Sequence, residues 1–364
     1  MYRKTYVEID TNKFYDNVKY LKEAYSEYEY LIAVIKANAY GHNDAIIEYL
    51  IKLGISYFAV SSLEEALSAR AKNDSIAILC LEPIDIVHLE IASSNNITIT
   101  IHDINYFKEI LTTSHSLIAH LKVDSGMNRL GIKNKQEIEY IVNNLPQNMQ
   151  LEGIYTHIGN ANSEESYTRQ LNVFKNQIKN IDLTKIKIIH LGNSACLINY
   201  PKEKFINGVR MGAVMYGINT SIKDIPLKVA FSLYSHISQI KHVIKGEYIG
   251  YDGYYQANSD MIIGIIPIGY ADGFIKKNQN DYVAINNKKY KIVGSICMDM
   301  TMIEIDDTIH VDDKVELIGD NITIADKAIK LETNMYEVVC GISDRVPRIY
   351  FNDNKVIKEL IGRF

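Results

Sequence analysis

Leu31-Ile32-Ala33-Val34-Ile35 is an unbroken apolar run that stops on Lys36, ahead of Ala37-Asn38-Ala39-Tyr40-Gly41-His42. A run this short and this apolar reads as a strand buried on both faces. Further runs of similar texture follow at residues 57–61, 76–81, 97–101, 117–123, 151–155, 186–190 and 214–217. Amphipathic stretches lie between them. In residues 165–180, for example, Tyr167, Leu171, Phe174 and Ile178 fall on one helical face. Strand signals alternating with helices in this number predict a parallel (β/α)8 barrel rather than an open sheet.

The texture changes after about residue 228. Residues 229–237, 261–266, 281–285 and 314–318 alternate or run apolar, with turn signals at Asn286-Asn287 and Gly319-Asp320 and a short helix near 325–330. These read as antiparallel β structure. The expected organisation is therefore α/β: an N-terminal (β/α)8 barrel over residues 1–227, followed by a mainly β C-terminal domain over 228–364. No low-complexity linker or internal repeat intervenes.

Composition narrows the function classes. A net charge of −5, with 23% charged residues, gives no reason to expect nucleic acid as a partner. The most apolar run, residues 261–268, is too short to cross a bilayer as a helix, so no membrane association is expected. The N-terminal residues lack the apolar core of a signal peptide. Cys80, Cys196, Cys297 and Cys340 are scattered without metal-ligand spacing. Reduced thiols in a cytoplasmic enzyme, with no metal, are the expectation.

Lys36 sits where the first barrel strand ends, the face on which barrel enzymes assemble their sites. A buried lysine is costly unless it is neutralised or covalently engaged, and a Schiff base to an aldehyde cofactor does both. By position alone, a lysine snorkelling from a strand end is the commoner case. The residues around it change the balance. Residues 33–42 resemble the cofactor-lysine signature of bacterial alanine racemases, and matching blocks continue in order along the chain. They are Lys122-Val123-Asp124-Ser125-Gly126-Met127-Asn128-Arg129-Leu130-Gly131-Ile132, Tyr155-Thr156-His157, His190-Leu191-Gly192-Asn193-Ser194-Ala195, and Val209-Arg210-Met211-Gly212 with Met215-Tyr216-Gly217. Tyr251, Ile266-Pro267-Ile268-Gly269-Tyr270-Ala271-Asp272-Gly273, Cys297-Met298-Asp299, Tyr336–Cys340 and Arg345-Val346-Pro347-Arg348-Ile349 complete the series.

The resemblance implies a pyridoxal-phosphate enzyme interconverting L- and D-alanine, the D form serving cell-wall precursors. Racemisation takes the α-proton from one face and returns it on the other, so two bases are expected. The family places Lys36 on one face and the tyrosine matching Tyr251, from the partner subunit of a homodimer, on the other. A phenol of ordinary pKa near 10 needs nearby positive charge to serve as a base, and Arg210 and His157 are the family's neighbours for that. Arg210 is expected to face the pyridine nitrogen. A guanidinium has donors only, so the ring nitrogen stays unprotonated and the competing transamination is disfavoured. Arg129 is expected at the cofactor phenolic oxygen and the substrate carboxylate, with the backbone amide of Met298 meeting that carboxylate from the other subunit and Tyr270 also on the substrate. Tyr40, Asn193, Ser194, Gly212 and Ala213 are expected around the phosphate. Family members often carry a carbamylated lysine at the position of Lys122, and the same modification is expected here; the alternative is an ordinary lysine paired with Asp124.

Four departures from the family bear on substrate preference. Asp344 stands where tyrosine or arginine is frequent, and either points away or pairs with a cation. Ser295 replaces a frequent arginine, residues 158–161 differ after His157, and Tyr251 is followed by Asp252-Gly253-Tyr254-Tyr255. A broadened or serine preference is thus the alternative to alanine. An amino-acid decarboxylase on the same plan is disfavoured by Arg210, because that class uses an acidic partner for the ring nitrogen. A non-catalytic pyridoxal-phosphate carrier is disfavoured by the β domain with Tyr251 and Met298.

Overall fold

The structure, a computed structural model, describes residues 3–353 and 355–360. These fall into two compact units, one comprising Tyr15–Ala39 with Asp44–Lys228, the other the residues up to Phe14 with Tyr40–Asn43 and the chain from Val229 onward.

Strand β1 (Tyr6–Asp10) belongs to the second unit. The first is a closed parallel barrel of β2 (Tyr30–Val34), β3 (Tyr57–Val60), β4 (Ala77–Cys80), β5 (Ile97–Ile101), β6 (Leu117–Lys122), β7 (Met149–Tyr155), β8 (Ile188–His190) and β9 (Gly208–Met211). The strands are apolar along most of their length because helices cover them outside and side chains fill them inside; every residue of β3, β5 and β9 is buried. The helix Glu164–Ile178 packs Tyr167, Leu171, Phe174 and Ile178 inward, as its periodicity predicts, and the Ser163 side chain caps it by accepting from the Ser166 amide at 3.2 Å.

The closing strand differs from the expectation of residues 214–217. It is β9, which pairs with β2 through Leu31↔Val209 and Ile32↔Arg210. Residues Ala213–Tyr216 instead form a 3-10 turn whose side chains are all buried, ended by Gly217 at φ +85°. A short apolar run buried on every side carries no periodicity to separate strand from turn, whereas the true strand is disguised by a glycine and an arginine.

The second unit is built on a ten-stranded sheet. After the barrel the chain forms β10 (Phe231–His236), β11 (Gln239–Val243), β12 (Tyr248–Ile249), β13 (Tyr255–Gln256), β14 (Met261–Ile266), β15 (Tyr282–Ile285), β16 (Lys288–Val293), β17 (Thr301–Ile305), β18 (Lys314–Ile318), β19 (Arg348–Asn352) and β20 (Lys355–Leu360). The sheet order is β11-β14-β17-β16-β15-β18-β10-β1-β19-β20, with β12 and β13 a separate hairpin. Asn286 and Asn287, at φ 49° and 62°, make the left-handed turn joining β15 to β16. The expected short helix is Ile324–Leu331, with a capping box between Thr323 and Asp326.

β1 lies between β10 and β19, antiparallel to the first and parallel to the second, so the N-terminal residues join the sheet rather than the barrel to which a 1–227 domain would assign them. Residues Tyr40–Asn43 join the same unit. Buried Arg348 donates from Nε to the Gly41 carbonyl (3.0 Å), Tyr350 donates to the His42 carbonyl (2.6 Å), and a Cβ on Gly41, at φ +76°, would lie 2.3 Å from the Val339 carbonyl oxygen. Among the described residues no helix is long and apolar enough to cross a membrane.

Candidate active site

The carboxyl ends of the barrel strands collect the polar side chains of the unit. Lys36 follows β2, Lys122 ends β6, Thr156 and His157 follow β7, His190 ends β8, and Arg210 lies in β9. In a parallel barrel all of these strand ends point to one rim, which gathers residues far apart in sequence.

The chain leaves β2 in an unusual way. Ala37, Asn38, Ala39 and Tyr40 all lie at φ between 52° and 54°, a left-handed turn built without glycine. Each such residue costs on the order of 1–2 kcal/mol, so the turn must be held from outside. Glu65 does this on the barrel side. Its carboxylate accepts from the Ala37 amide (2.7 Å) and the Ser61 amide (2.8 Å), tying the residue after Lys36 to the end of β3.

Arg210 is 3% exposed and held on three acceptors. It donates from Nη1 to His190 Nδ1 (2.7 Å), and from Nη2 to the Thr156 carbonyl (2.8 Å) and His157 Nδ1 (3.1 Å). Tyr155 lies beneath, with its ring centroid 5.1 Å from the guanidinium carbon, 4.4 Å from Lys122 Nζ and stacked on His190 at 4.6 Å. Burial lowers the Arg210 pKa to about 10. Lys122, 6% exposed, is held well below the usual lysine range by burial and then by Arg210 and Arg129. His157 is pushed well below its ordinary value by burial, then by Arg210, Lys122, Arg129 and Lys36, and so stays neutral. Arg210, Lys122, Arg129 and Lys36 thus all bear on one imidazole. A rim of this charge is built for an anion.

The loop carrying Arg129 is shaped by Asp124, whose carboxylate accepts from the amides of Gly126 (2.9 Å) and Asn128 (3.1 Å). It closes on Gly131 at φ +115°, where a Cβ would lie 2.9 Å from Asp124 N, Lys122 Cγ and Lys122 O. Only glycine fits there. Across the rim, the Gly212 amide donates to Ser194 Oγ (3.2 Å), bringing Ser194 beside the backbone of Gly212 and Ala213. Asn193 caps the helix Ser194–Asn199 by accepting from the Cys196 amide (3.1 Å), so its side chain serves the local backbone.

The other expected residues belong to the β unit. Tyr40 is held there with Gly41 and His42, and burial raises its phenol pKa. Tyr251, Tyr270 and Met298 stand on loops that adjoin one another. The Tyr270 amide donates to the Cys297 carbonyl (3.0 Å) and the Ala271 amide to the Met298 carbonyl (3.1 Å), while a Cβ on Gly250 would lie 3.0 Å from Ser295 N. Tyr251 and Met298 are 65% and 53% exposed. Asp344 pairs with a cation, its carboxylate standing 3.8 Å from Arg348 Nη1, while Arg345 turns to Asp299 at 2.7 Å. Ser295 is buried in the turn behind Gly250.

Two family models match the chain, the alanine racemase N-terminal domain over residues 9–220 and the alanine racemase C-terminal domain over residues 230–350. The chain belongs to the alanine racemase family. By class it is an amino-acid racemase, an isomerase. It is 37% identical to alanine racemase 1 of Bacillus subtilis (strain 168), over 98% of this chain and 95% of that one. It is 36% identical to the alanine racemase of Geobacillus stearothermophilus, over 100% and 98%. The crystal structure of alanine racemase from Bacillus anthracis with bound L-Ala-P superposes with a TM-score of 0.94 at 32% identity, covering 99% of this chain and 98% of that one.

Family motifs did not point to His120, Glu152 and Tyr57, which lie deeper in the barrel. His120 and Glu152 lie in β6 and β7, within apolar strand runs, and Tyr57 begins β3. A histidine and a glutamate inside barrel strands are the signal that was available: such groups are buried only when partnered.

Proposed function

We propose that this protein interconverts L- and D-alanine with pyridoxal 5'-phosphate, using Lys36 and the partner subunit's Tyr251 as bases on opposite faces of the substrate. The observation that carries the reading is the barrel rim itself, where Lys36, Lys122, Arg129 and Arg210 bear on neutral His157 and Arg210 is fixed by three acceptors. The donor set fits the cofactor: a phosphate, a phenolic oxygen and a substrate carboxylate are the anions such a rim would hold. Ser194 with the amides of Gly212 and Ala213 would take the phosphate, joined by the Tyr40 hydroxyl and by Asn193 on the family resemblance. Arg210 would face the ring nitrogen and Arg129 the phenolic oxygen and substrate carboxylate.

When bound through Lys36, the cofactor draws electrons from the substrate α-carbon and makes its hydrogen acidic. The chain's residues do the rest. Lys36 would move a proton at its amine on one face, and the phenol oxygen of the partner's Tyr251 would move one on the other. Arg210, donor-only, would leave the ring nitrogen unprotonated and so discourage transamination. On the family resemblance, the backbone amide of the partner subunit's Met298 would meet the substrate carboxylate, with Tyr270 also on the substrate. The exposure of Tyr251 and Met298 supports their use by a second copy in a two-fold dimer.

Lys122 would be carbamylated, as the family resemblance implies. Burial and then Arg210 and Arg129 hold its amine well below the usual lysine range, which favours the nucleophilic neutral form, and adding carbon dioxide with loss of one proton would give an anion beside Arg129. Asp124 Oδ1 accepts from the amides of Gly126 and Asn128, and its charge raises the Lys122 pKa less than burial, Arg210 and Arg129 lower it, so a simple Lys122–Asp124 pair is the less favoured alternative. Labelled bicarbonate should give a carbamate signal that a Lys122→Ala variant lacks. The free thiols of Cys80, Cys196, Cys297 and Cys340 suit a cytoplasmic location.

The test is a racemisation assay on a panel of amino acids with added pyridoxal phosphate. Alanine should turn over fastest, with a visible absorbance band that Lys36→Ala abolishes. Serine outpacing alanine would move the assignment to the alternative raised by Ser295 and Asp344. No racemisation of any amino acid would overturn it.

A further inference from the structure

Beneath the rim, Arg210 heads a chain of buried hydrogen bonds that runs down the inside of the barrel. His190 Nδ1 meets Arg210 Nη1 at 2.7 Å; His190 Nε2 meets His120 Nδ1 at 2.9 Å; His120 Nε2 meets the Tyr57 hydroxyl at 3.0 Å and Glu152 Oε2 at 3.4 Å. Tyr57 donates to Glu152 Oε2 at 2.7 Å, and half-exposed Lys187 donates to Glu152 Oε1 at 2.8 Å. Both imidazoles are fully buried.

The proton positions follow from the two ends. A guanidinium only donates, so His190 Nδ1 accepts and its proton sits on Nε2. That proton is given to His120 Nδ1, so His120 also carries its proton on Nε2, aimed at Tyr57 and Glu152. Every bond therefore points away from Arg210 and ends on a carboxylate. Reversing either imidazole would set an N–H of His190 against an N–H of Arg210. Burial holds His120 and His190 below the ordinary histidine value, and its three donors hold Glu152 at about 2. The chain thus joins a buried cation to a carboxylate through two neutral rings.

The backbone is built to seat this chain. The β6–β7 register slips between Ala119 and His120, pairing Ala119 with Leu151 and His120 with Gly153, so Glu152 is the extra residue of a bulge. A bulge redirects a side chain out of its ordinary alternation. A Cβ on Gly153 would lie 2.5 to 2.7 Å from three atoms of the His120 ring, so only glycine leaves room for the imidazole.

We propose that Glu152 and His120 are positioning residues of the active site: acting through His190, they fix the lone pair on which Arg210 rests, and so keep the guanidinium charged and oriented at the rim. Its consequence for catalysis rests on the reading of Arg210 as the neighbour of the cofactor ring nitrogen. The proton order itself does not. The same architecture, in which a carboxylate orients a histidine that orients the functional group, is a recurring way to hold a site.

The test is nitrogen-15 NMR of histidine-labelled protein, with and without pyridoxal phosphate, on the wild type, Glu152→Gln and Tyr57→Phe. Both His120 and His190 should carry their proton on Nε2 in the wild type, and keep it there in Y57F, which retains the carboxylate. In E152Q, whose amide can donate as well as accept, both rings should populate the Nδ1-protonated form, and kcat for alanine should fall about tenfold or more with KM little changed. A wild-type His190 protonated on Nδ1, or on both nitrogens, would overturn the proposal without any variant. So would E152Q with unchanged ring protonation, or with altered protonation and undiminished kcat. If the protein bound no cofactor, the functional reading would fall, while ring protonation in cofactor-free protein would still decide the relay.

Discussion

Replacing Arg210 by lysine keeps the charge and removes the fork, which makes it a direct probe of what the guanidinium does. In the wild type one side chain reaches His190 Nδ1 at 2.7 Å, the Thr156 carbonyl at 2.8 Å and His157 Nδ1 at 3.1 Å. A single, shorter ammonium satisfies at most one of these well, so two buried acceptors lose their donor. Each unsatisfied buried group costs about 1–3 kcal/mol, which places the loss at roughly 2–6 kcal/mol. Against typical total stabilities of about 5–15 kcal/mol this is large. The assay is urea denaturation of cofactor-free protein followed by circular dichroism, with the slope compared to confirm that the same surface unfolds. The midpoint should fall markedly at an unchanged slope. Stability within about 0.5 kcal/mol of the wild type, the scatter of ordinary surface substitutions, would refute the claim that Arg210 is locked by these three contacts.

Acid should destabilise the barrel early. His120, His157 and His190 all have their pKa depressed from 6.5, chiefly by burial, so below that pH the unfolded chain binds more protons than the folded one. Their contribution is complete above about pH 6.5 and is lost as the pH falls toward the folded values, at up to about 1.4 kcal/mol per pH unit for each ring. The melting temperature of cofactor-free protein should drop between pH 7.5 and 5.5; a flat profile would show that these rings take up protons in place. Gly131→Ala puts a Cβ at 2.9 Å from the Lys122 and Asp124 backbone at a φ of +115°, and should cost at least about 1 kcal/mol while raising KM for alanine through Arg129. Unchanged melting temperature and KM would show that the loop adapts without moving Arg129.

Much of the barrel was legible because its strands are buried on both faces, which writes them as apolar runs separated by amphipathic helices. The eighth strand was not. Gly208 and Arg210 hide it, and the apolar 213–216 turn imitates it. The place of β1 was equally hidden, since strand alternation marks a half-buried strand without naming its partners; pairing with β10 and β19 is a long-range fact. At the rim, the motif blocks carried Lys36, Lys122 and Arg210, which the fold brings to one end of the barrel. Below it, His120 and Glu152 belong to no motif; their meaning emerges only when five strands close and a bulge at Glu152 turns its carboxylate toward Tyr57 and His120.

The proposed reaction stands or falls on two bases working from opposite sides. The most direct measurement is the fate of the α-hydrogen of each alanine enantiomer in deuterium oxide with Tyr251→Phe protein carrying pyridoxal phosphate. Removing one base should slow interconversion by about 10²-fold or more, while one enantiomer goes on exchanging its α-hydrogen with retained configuration through Lys36. Interconversion of both enantiomers at the wild-type rate, with exchange equal from either side, would contradict it.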